Sequence, residues 1–384
     1  MSNVARWQEI IPHPWMWRWA VRGIAAAAAV GGARCAYVAH FYRPVPDYAG
    51  DRHRPSKRRL LDASDEPGEL LLARKVTLTV GTVVSKCLVG WLNSLVVVED
   101  RRYQAWLQAI RERPSGVPLI TVANHESCCD DPPLMGGLVP WDVAVDPHRM
   151  RWGICTQEIC FPRNFSAVHA LAGCGQALPI RRGGGVDQAL LYDVARQVAA
   201  GCWVHVFPEG RVVQGSSLGL DPLSRSGEEL AQKGRLKWGI GKLIAHSPVP
   251  PIIVPFHHKG MAGVMPQHNT FVQAPDGAWQ YNNKVISPIP RTGAVAVVRF
   301  GDAISVDDLI KEYEDAHGPL YKVTSAPGNA DDATPAPWES TRQEQLLYQA
   351  IALRIQDALL SLEEEATRGW PGPPKVCPRP KTVS

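Results

Sequence analysis

The sequence predicts an α/β domain, a sheet flanked by helices, preceded by a basic extension and an interfacial helix. Three observations carry this. Beyond Pro114, apolar β-branched runs recur at Pro118–Ala123, Cys202–Phe207, Pro251–Phe256 and Ala294–Phe300, the composition of strands buried on both faces. Segments of helical spacing lie between them at Asp187–Ala200 and Lys237–Ala245, the alternation expected of a helix-covered sheet. Finally, 384 residues at 45% hydrophobic and 20% charged supply a sizeable core, which removes collagen, coiled coil and wholesale disorder.

The N-terminal extension stands apart by charge. Residues 1–60 hold ten Lys/Arg against Glu9, Asp47 and Asp51, a local +7 in a chain of net +4, so the remainder carries −3. A body without basic excess gives no footprint for nucleic acid. Trp15, Trp17 and Trp19 precede an apolar stretch, Gly23–Ala33, whose eleven residues reach only about half of a bilayer core. Arg-rich, acid-poor and amphipathic, the extension reads as a transit segment; a basic tail lying on anionic lipid is the other reading. Residues 43–69 read as a linker.

The next apolar stretch, Val76–Val98, carries one charge, Lys86. Thr79, Thr82, Lys86, Gly90 and Asn93 follow helical steps and draw one polar stripe on an otherwise apolar helix. Such a helix suits the membrane interface better than a crossing, although a buried core helix carries the same pattern. Further on, Gly260–Arg291 and Tyr321–Pro337 read as long loops. Glu339–Glu365 reads as an amphipathic helix with Leu347, Ile351, Ile355, Leu359 and Leu362 on one side. The boundaries are therefore 1–69 for the extension and linker, 70–102 for a monotopic anchor, 103–310 for the main domain with a loop over 266–292, and 311–384 for the C-terminal loop and helix. The nine scattered cysteines fit neither a zinc pattern nor a disulfide framework and read mostly as small buried residues.

The chemistry concentrates at strand ends. Val122-Ala-Asn-His-Glu-Ser-Cys-Cys-Asp-Asp-Pro132 presents His125 just past a strand, with Asp130 five residues on. If the chain turns there, Asp130 can fix the imidazole tautomer and leave the other nitrogen to take a proton. No protein nucleophile stands beside the pair, so the substrate must supply one. Gly175-Gln-Ala-Leu-Pro-Ile-Arg-Arg-Gly183 delivers two arginines into a glycine run, as a phosphate clamp or as surface charge. Trp203-Val-His-Val-Phe-Pro-Glu-Gly-Arg211 ends a strand in a tight turn carrying a carboxylate and a cation, and Ile253-Val-Pro255 ends another such strand. Gly215-Ser-Ser-Leu-Gly219 satisfies the nucleophile-elbow pattern, but a turn precedes it and Asp221-Pro222 follows, which argues against Ser217. His257 and His258 are adjacent, face opposite ways on a strand and make a poor metal pair.

In that order, N-H-x-x-x-x-D, Leu-Pro-Ile-Arg-Arg, Phe-Pro-Glu-Gly and Val-Pro resemble the four motifs of the glycerolipid acyltransferases. Asn124–Pro132, Trp203–Val212 and Arg235-Leu-Lys-Trp-Gly-Ile-Gly-Lys-Leu-Ile244 are similar to segments of one branch, the tafazzins. Met150-Arg-Trp152 and Gly260-Met261 also fit. The resemblance covers about residues 75–310 and implies a glycerolipid-acyltransferase-like sheet. It implies His125 as catalytic base with Asp130 as its partner. Asn124, Arg182, Glu209, Gly210 and Arg211 follow as substrate contacts, Arg182 rather than Arg181 because it precedes the glycine. Glu126 departs from the Gln of the pattern. The implied reaction moves an acyl chain from a phospholipid to a lysophospholipid without CoA, remodelling cardiolipin at a mitochondrial membrane, with a plastid as the alternative address. An ester-for-ester exchange is nearly thermoneutral and asks for no cofactor and no metal. An acyl-CoA-dependent enzyme shares the motifs, and a non-catalytic lipid-binding scaffold would keep the fold.

Overall fold

The computed structural model describes residues 68–161, 171–214, 236–273, 279–286, 289–324 and 334–368. The extension and most of the linker, Ser217 and the C-terminal tail lie outside the described residues. Nine strands are described: β1 Ser94–Val97, β2 Leu119–Ala123, β3 Trp152–Thr156, β4 Ala177–Ile180, β5 Trp203–Val206, β6 Ile252–Lys259, β7 Gln267–Gln273, β8 Trp279–Val285 and β9 Val295–Phe300. The longer helices among the described residues are α1 Gly68–Ser85, α2 Arg101–Glu112, α3 Ala189–Ala199, α4 Gly239–Ala245, α5 Asp307–His317 and α6 Arg342–Arg368.

The expected sheet is present, with seven strands in the order β1-β9-β6-β2-β5-β3-β4. β6, β2, β5, β3 and β4 run parallel. β9 meets β6 antiparallel and carries β1 parallel to itself. Every residue of β2 is buried, as a central strand of unbroken apolar sequence should be. One core fills the face covered by α3, α4 and α6, and a second fills the face covered by α1, α2 and the helical hook Asp130–Leu138. The apolar side read for the last helix is wholly buried at Leu347, Ile351, Ile355, Leu359 and Leu362.

Several elements depart from the sequence reading. The apolar stretch Val76–Val98 is divided: α1 continues as a π-helical turn, Lys86–Trp91, and the chain then enters the sheet as β1. Asn93 makes the break, donating to Leu88 O and Arg291 O and accepting from Ala294 N. The polar stripe faces the protein only in part, since Gly90 is exposed and Thr79 Oγ1 turns back to Lys75 O at the surface. Thr82, Ser85 and Asn93 are buried, and Lys86 Nζ donates to the carbonyls of Gly137 and Val139 at 3.0 and 2.8 Å. Leu72, Val84, Trp91 and Leu92 are exposed. Arg74 is buried with its guanidinium 4.6 Å from the Trp152 ring centre, so it pins α1 to the domain. Among the described residues, no helix is long and apolar enough to cross a membrane.

The expected loop Gly260–Arg291 contains a hairpin, β7 paired antiparallel with β8, because main-chain pairing forms a ladder even where the sequence is polar. The cysteine reading is also corrected: Cys155 and Cys160 form a disulfide. The helical turn Gln157–Cys160 after β3 brings their Cα atoms to 6.1 Å, within bridging reach.

Candidate active site

β2 ends at Ala123, and its next residues leave the sheet at the end where parallel sheets present ligand sites. His125 Nδ1 lies 2.9 Å from Asp130 Oδ2. The same oxygen accepts the main-chain N–H groups of Glu126 and Ser127 at 2.7 and 2.8 Å. Those two donors fix Asp130 as an acceptor, so the His125 proton sits on Nδ1 and a lone pair is left on Nε2. Asp130 is fully buried, whereas His125 is one-fifth exposed. Its Nε2 makes no hydrogen bond among the described residues.

β5 supplies the other wall. Phe207 lies almost flat on the imidazole, with ring centres 4.2 Å apart and planes at 12°. The Pro208-Glu-Gly turn closes through Gly210 N to Phe207 O at 3.0 Å. Gly210 has φ +70°, where a side chain is strained, and a Cβ there would also press on Lys237 Cγ at 3.2 Å. Val213 N then donates to His125 O at 2.7 Å, stitching this segment to the base. Beneath it, Thr121 Oγ1 accepts from Trp203 Nε1 and meets His205 Nδ1, both at 2.9 Å. Burial, then the nearby charge of Arg151, holds His205 well below its ordinary pKa, so it is neutral.

The site residues read from sequence fall into two groups. His125, Asp130, Asn124 and the Glu209-Gly210-Arg211 turn converge at the ends of β2 and β5. Asn124, read as a substrate contact, has its side-chain amide bonded to β6. Its Nδ2 donates to His258 O, and its Oδ1 accepts from His258 N, both at 2.9 Å. Arg182 stands exposed past β4, at the same end of the sheet but three strand positions from β2, about 14 Å at ordinary strand spacing.

This arrangement has relatives. A family model described as Acyltransferase matches residues 107–259. The chain is 36% identical over 190 residues to a tafazzin of Drosophila melanogaster, covering 50% of this chain and 45% of that protein, so it spans about half of that relative. It is 33% identical over 275 residues to an N-acylphosphatidylethanolamine synthase of Arabidopsis thaliana, covering 68% of this chain and 83% of that one. A taffazin of Dictyostelium discoideum is 28% identical over 256 residues, 66% of this chain and 74% of its own. The chain belongs to the tafazzin family of acyltransferases.

Within this tafazzin-family site, sequence reasoning missed Phe207 and His258. Phe207 was legible, standing directly before the Pro-Glu-Gly turn. His258 was not, because only the pairing of β6 with β2 brings it to the base loop. Glu126 points away from the base: its Oε2 accepts from Met261 N at 2.8 Å and lies 3.9 Å from His258 Nδ1. Burial raises its pKa, with His258 opposing the rise.

Proposed function

We propose that this protein moves an acyl chain from a phospholipid to a lysophospholipid, with His125 as general base and no CoA intermediate. The observation that carries the reading is the His125–Asp130 bond, with the proton fixed on Nδ1 and the Nε2 lone pair unbonded. Ser127, the hydroxyl of that loop, is buried, donates to Met265 O and accepts from Cys129 N, so it belongs to the scaffold. In this reading the nucleophile is the acceptor's own hydroxyl. Nε2 takes its proton as the oxygen attacks the donor's ester carbonyl. The tetrahedral intermediate collapses, and His125 returns the proton to the departing glycerol oxygen. One ester forms as another breaks.

Both substrates are membrane lipids, and the exposed face of α1 suits that. Leu72, Val84, Trp91 and Leu92 point outward, and Lys86 stays inside on carbonyls, 5.3 Å from the ring centre of exposed Trp141. In this reading residues 70–102 carry a monotopic anchor. Glu209, Gly210 and Arg211 line the lipid site, and Arg182 takes the phosphate. The tafazzin resemblance and the basic extension extend the proposal to cardiolipin acyl remodelling at a mitochondrial membrane.

A second reading is favoured by the Arabidopsis relative, whose name is that of an N-acylphosphatidylethanolamine synthase and of which the chain covers 83%. There the same Nε2 would take a proton from the amine of an ethanolamine headgroup as its nitrogen attacks the donor's ester carbonyl. The amide C–N bond forms, the ester C–O bond breaks, and His125 returns the proton to the departing glycerol oxygen. Liposomes holding labelled phosphatidylcholine, a lysophospholipid and phosphatidylethanolamine, without CoA, separate the two. Label on the lyso acceptor supports transacylation; label in an N-acyl product supports the second reading. Transfer only after acyl-CoA is added overturns CoA independence, and no transfer at all overturns both in favour of a scaffold.

A further inference from the structure

We infer that His258 is a positioning residue for the His125 base, acting through Asn124 and Asp130; this rests on the acyl-transfer reading above. β6 changes partner along its length. Ile252–Phe256 pair with Leu119–Ala123 of β2, whereas Phe256–Lys259 pair with β9. Beyond Phe256, its other edge therefore faces the departing base loop. Asn124 fills that edge with its side chain, its amide making the two bonds to His258 main chain that a continuing strand would have made. A main-chain clasp of this kind accepts any residue at 258.

The imidazole adds what the clasp cannot. His258 Nε2 donates to Asn124 O at 2.9 Å, the carbonyl of the peptide bond that enters His125. The same nitrogen lies 3.6 Å from Asp130 Oδ2, the oxygen that orients His125. One N–H thus faces both groups that set the height and tilt of the base. The ring is buried, with Phe256 at 6.3 Å between centres and Glu126 Oε2 at 3.9 Å from Nδ1, so it has little freedom to turn. Among the described residues the His258 ring makes no hydrogen bond to His125 itself, and its nitrogens meet Asn124 O, Asp130 and Glu126, which makes its role one of positioning. Catalytic geometry tolerates little displacement: about 1 Å costs on the order of 100-fold in rate.

The test is acyl exchange in liposomes by wild type, His258→Ala and His258→Gln, with folding followed by circular dichroism. His258→Ala should lower kcat by roughly 10- to 100-fold with KM for the lyso acceptor within about twofold. His258→Gln, whose amide N–H reaches the same carbonyl, should recover most of the loss. Adding His258→Ala to His125→Ala should slow the residual rate no further. Full kcat in a folded His258→Ala overturns the inference. So does a loss that Gln does not relieve, or one that persists unchanged in the His125→Ala background. A wild type silent with every donor overturns the acyl-transfer reading itself, and this inference with it.

Discussion

Asp130 Oδ2 gathers three donors within 2.9 Å, one from an imidazole and two from main chain. Asp130→Asn keeps the size but can offer that point a single amide oxygen or an amide nitrogen. With its oxygen at that point Asn still serves all three donors. The negative charge that stabilises the imidazolium formed when Nε2 takes a proton is gone, however, and the amide nitrogen takes the buried, unpartnered place of Oδ1. The expected loss is on the order of 10³–10⁴ in kcat with little change in KM, the scale seen when a base loses its orienting carboxylate. Glu126 is predicted to behave oppositely. Burial raises its folded pKa above the unfolded value, so its contribution to stability is present in acid and lost as pH rises through the folded pKa. Glu126→Gln retains an acceptor for Met261 N without the buried charge. Thermal melts should show a midpoint raised at pH 7 and little changed at pH 4.

The exposed face of α1 with its π-helical turn has a definite test. Val84→Glu with Trp91→Ser removes two outward apolar groups, each worth about 1.5–3 kcal/mol when buried in lipid. Co-sedimentation with liposomes should fall at least tenfold, with the melting temperature little changed. Unchanged co-sedimentation would detach this face from the membrane. Legibility also divides by element. β2, β5, β6 and β9 were readable because each carries an apolar, β-branched run, with β2 and β5 buried at every residue and β9 at alternate ones. β1 was hidden because apolar composition does not show where a helix gives way to a strand; Asn93 marks the change through bonds to residues some 200 positions away. β3, Trp-Gly-Ile-Cys-Thr, lacks the β-branched run, and β7–β8 are held by main-chain pairing. The site was legible where its residues are neighbours in sequence, as with His125 and Asp130. It was not where strand order joins distant segments, as with His258 and Asn124.

Across the whole molecule, α6 closes the face of the sheet that α3 and α4 also cover, and its contacts carry a pH signature. His246 is buried at the end of α4, with Nδ1 on Tyr321 O at 2.7 Å and Nε2 on the Tyr348 hydroxyl at 2.5 Å. Burial pushes its pKa down to about 4. The unfolded chain, with an ordinary histidine near 6.5, binds the proton first, so this stability is complete above about pH 6.5 and lost as pH falls towards 4. The loss is about 3 kcal/mol. Urea titrations at pH 7.5 and pH 4 should show the wild type losing more stability than His246→Gln by roughly that amount. The same face holds Lys242, which is buried against Trp338 O and Ser340 Oγ and ion-paired with Asp187. Lys242→Ala should cost about 1–3 kcal/mol in the same titrations by leaving Trp338 O and Ser340 Oγ without their buried donor, while Asp187, partly exposed, is solvated. The central claim concerns the base and the donor together. The measurement that tests it most directly is acyl transfer from labelled phosphatidylcholine to a lysophospholipid in CoA-free liposomes, comparing wild type with His125→Ala. Steady transfer by wild type, reduced at least a thousandfold in the folded variant, is the predicted result. Equal transfer by both proteins, or transfer that starts only when acyl-CoA is added, would contradict it.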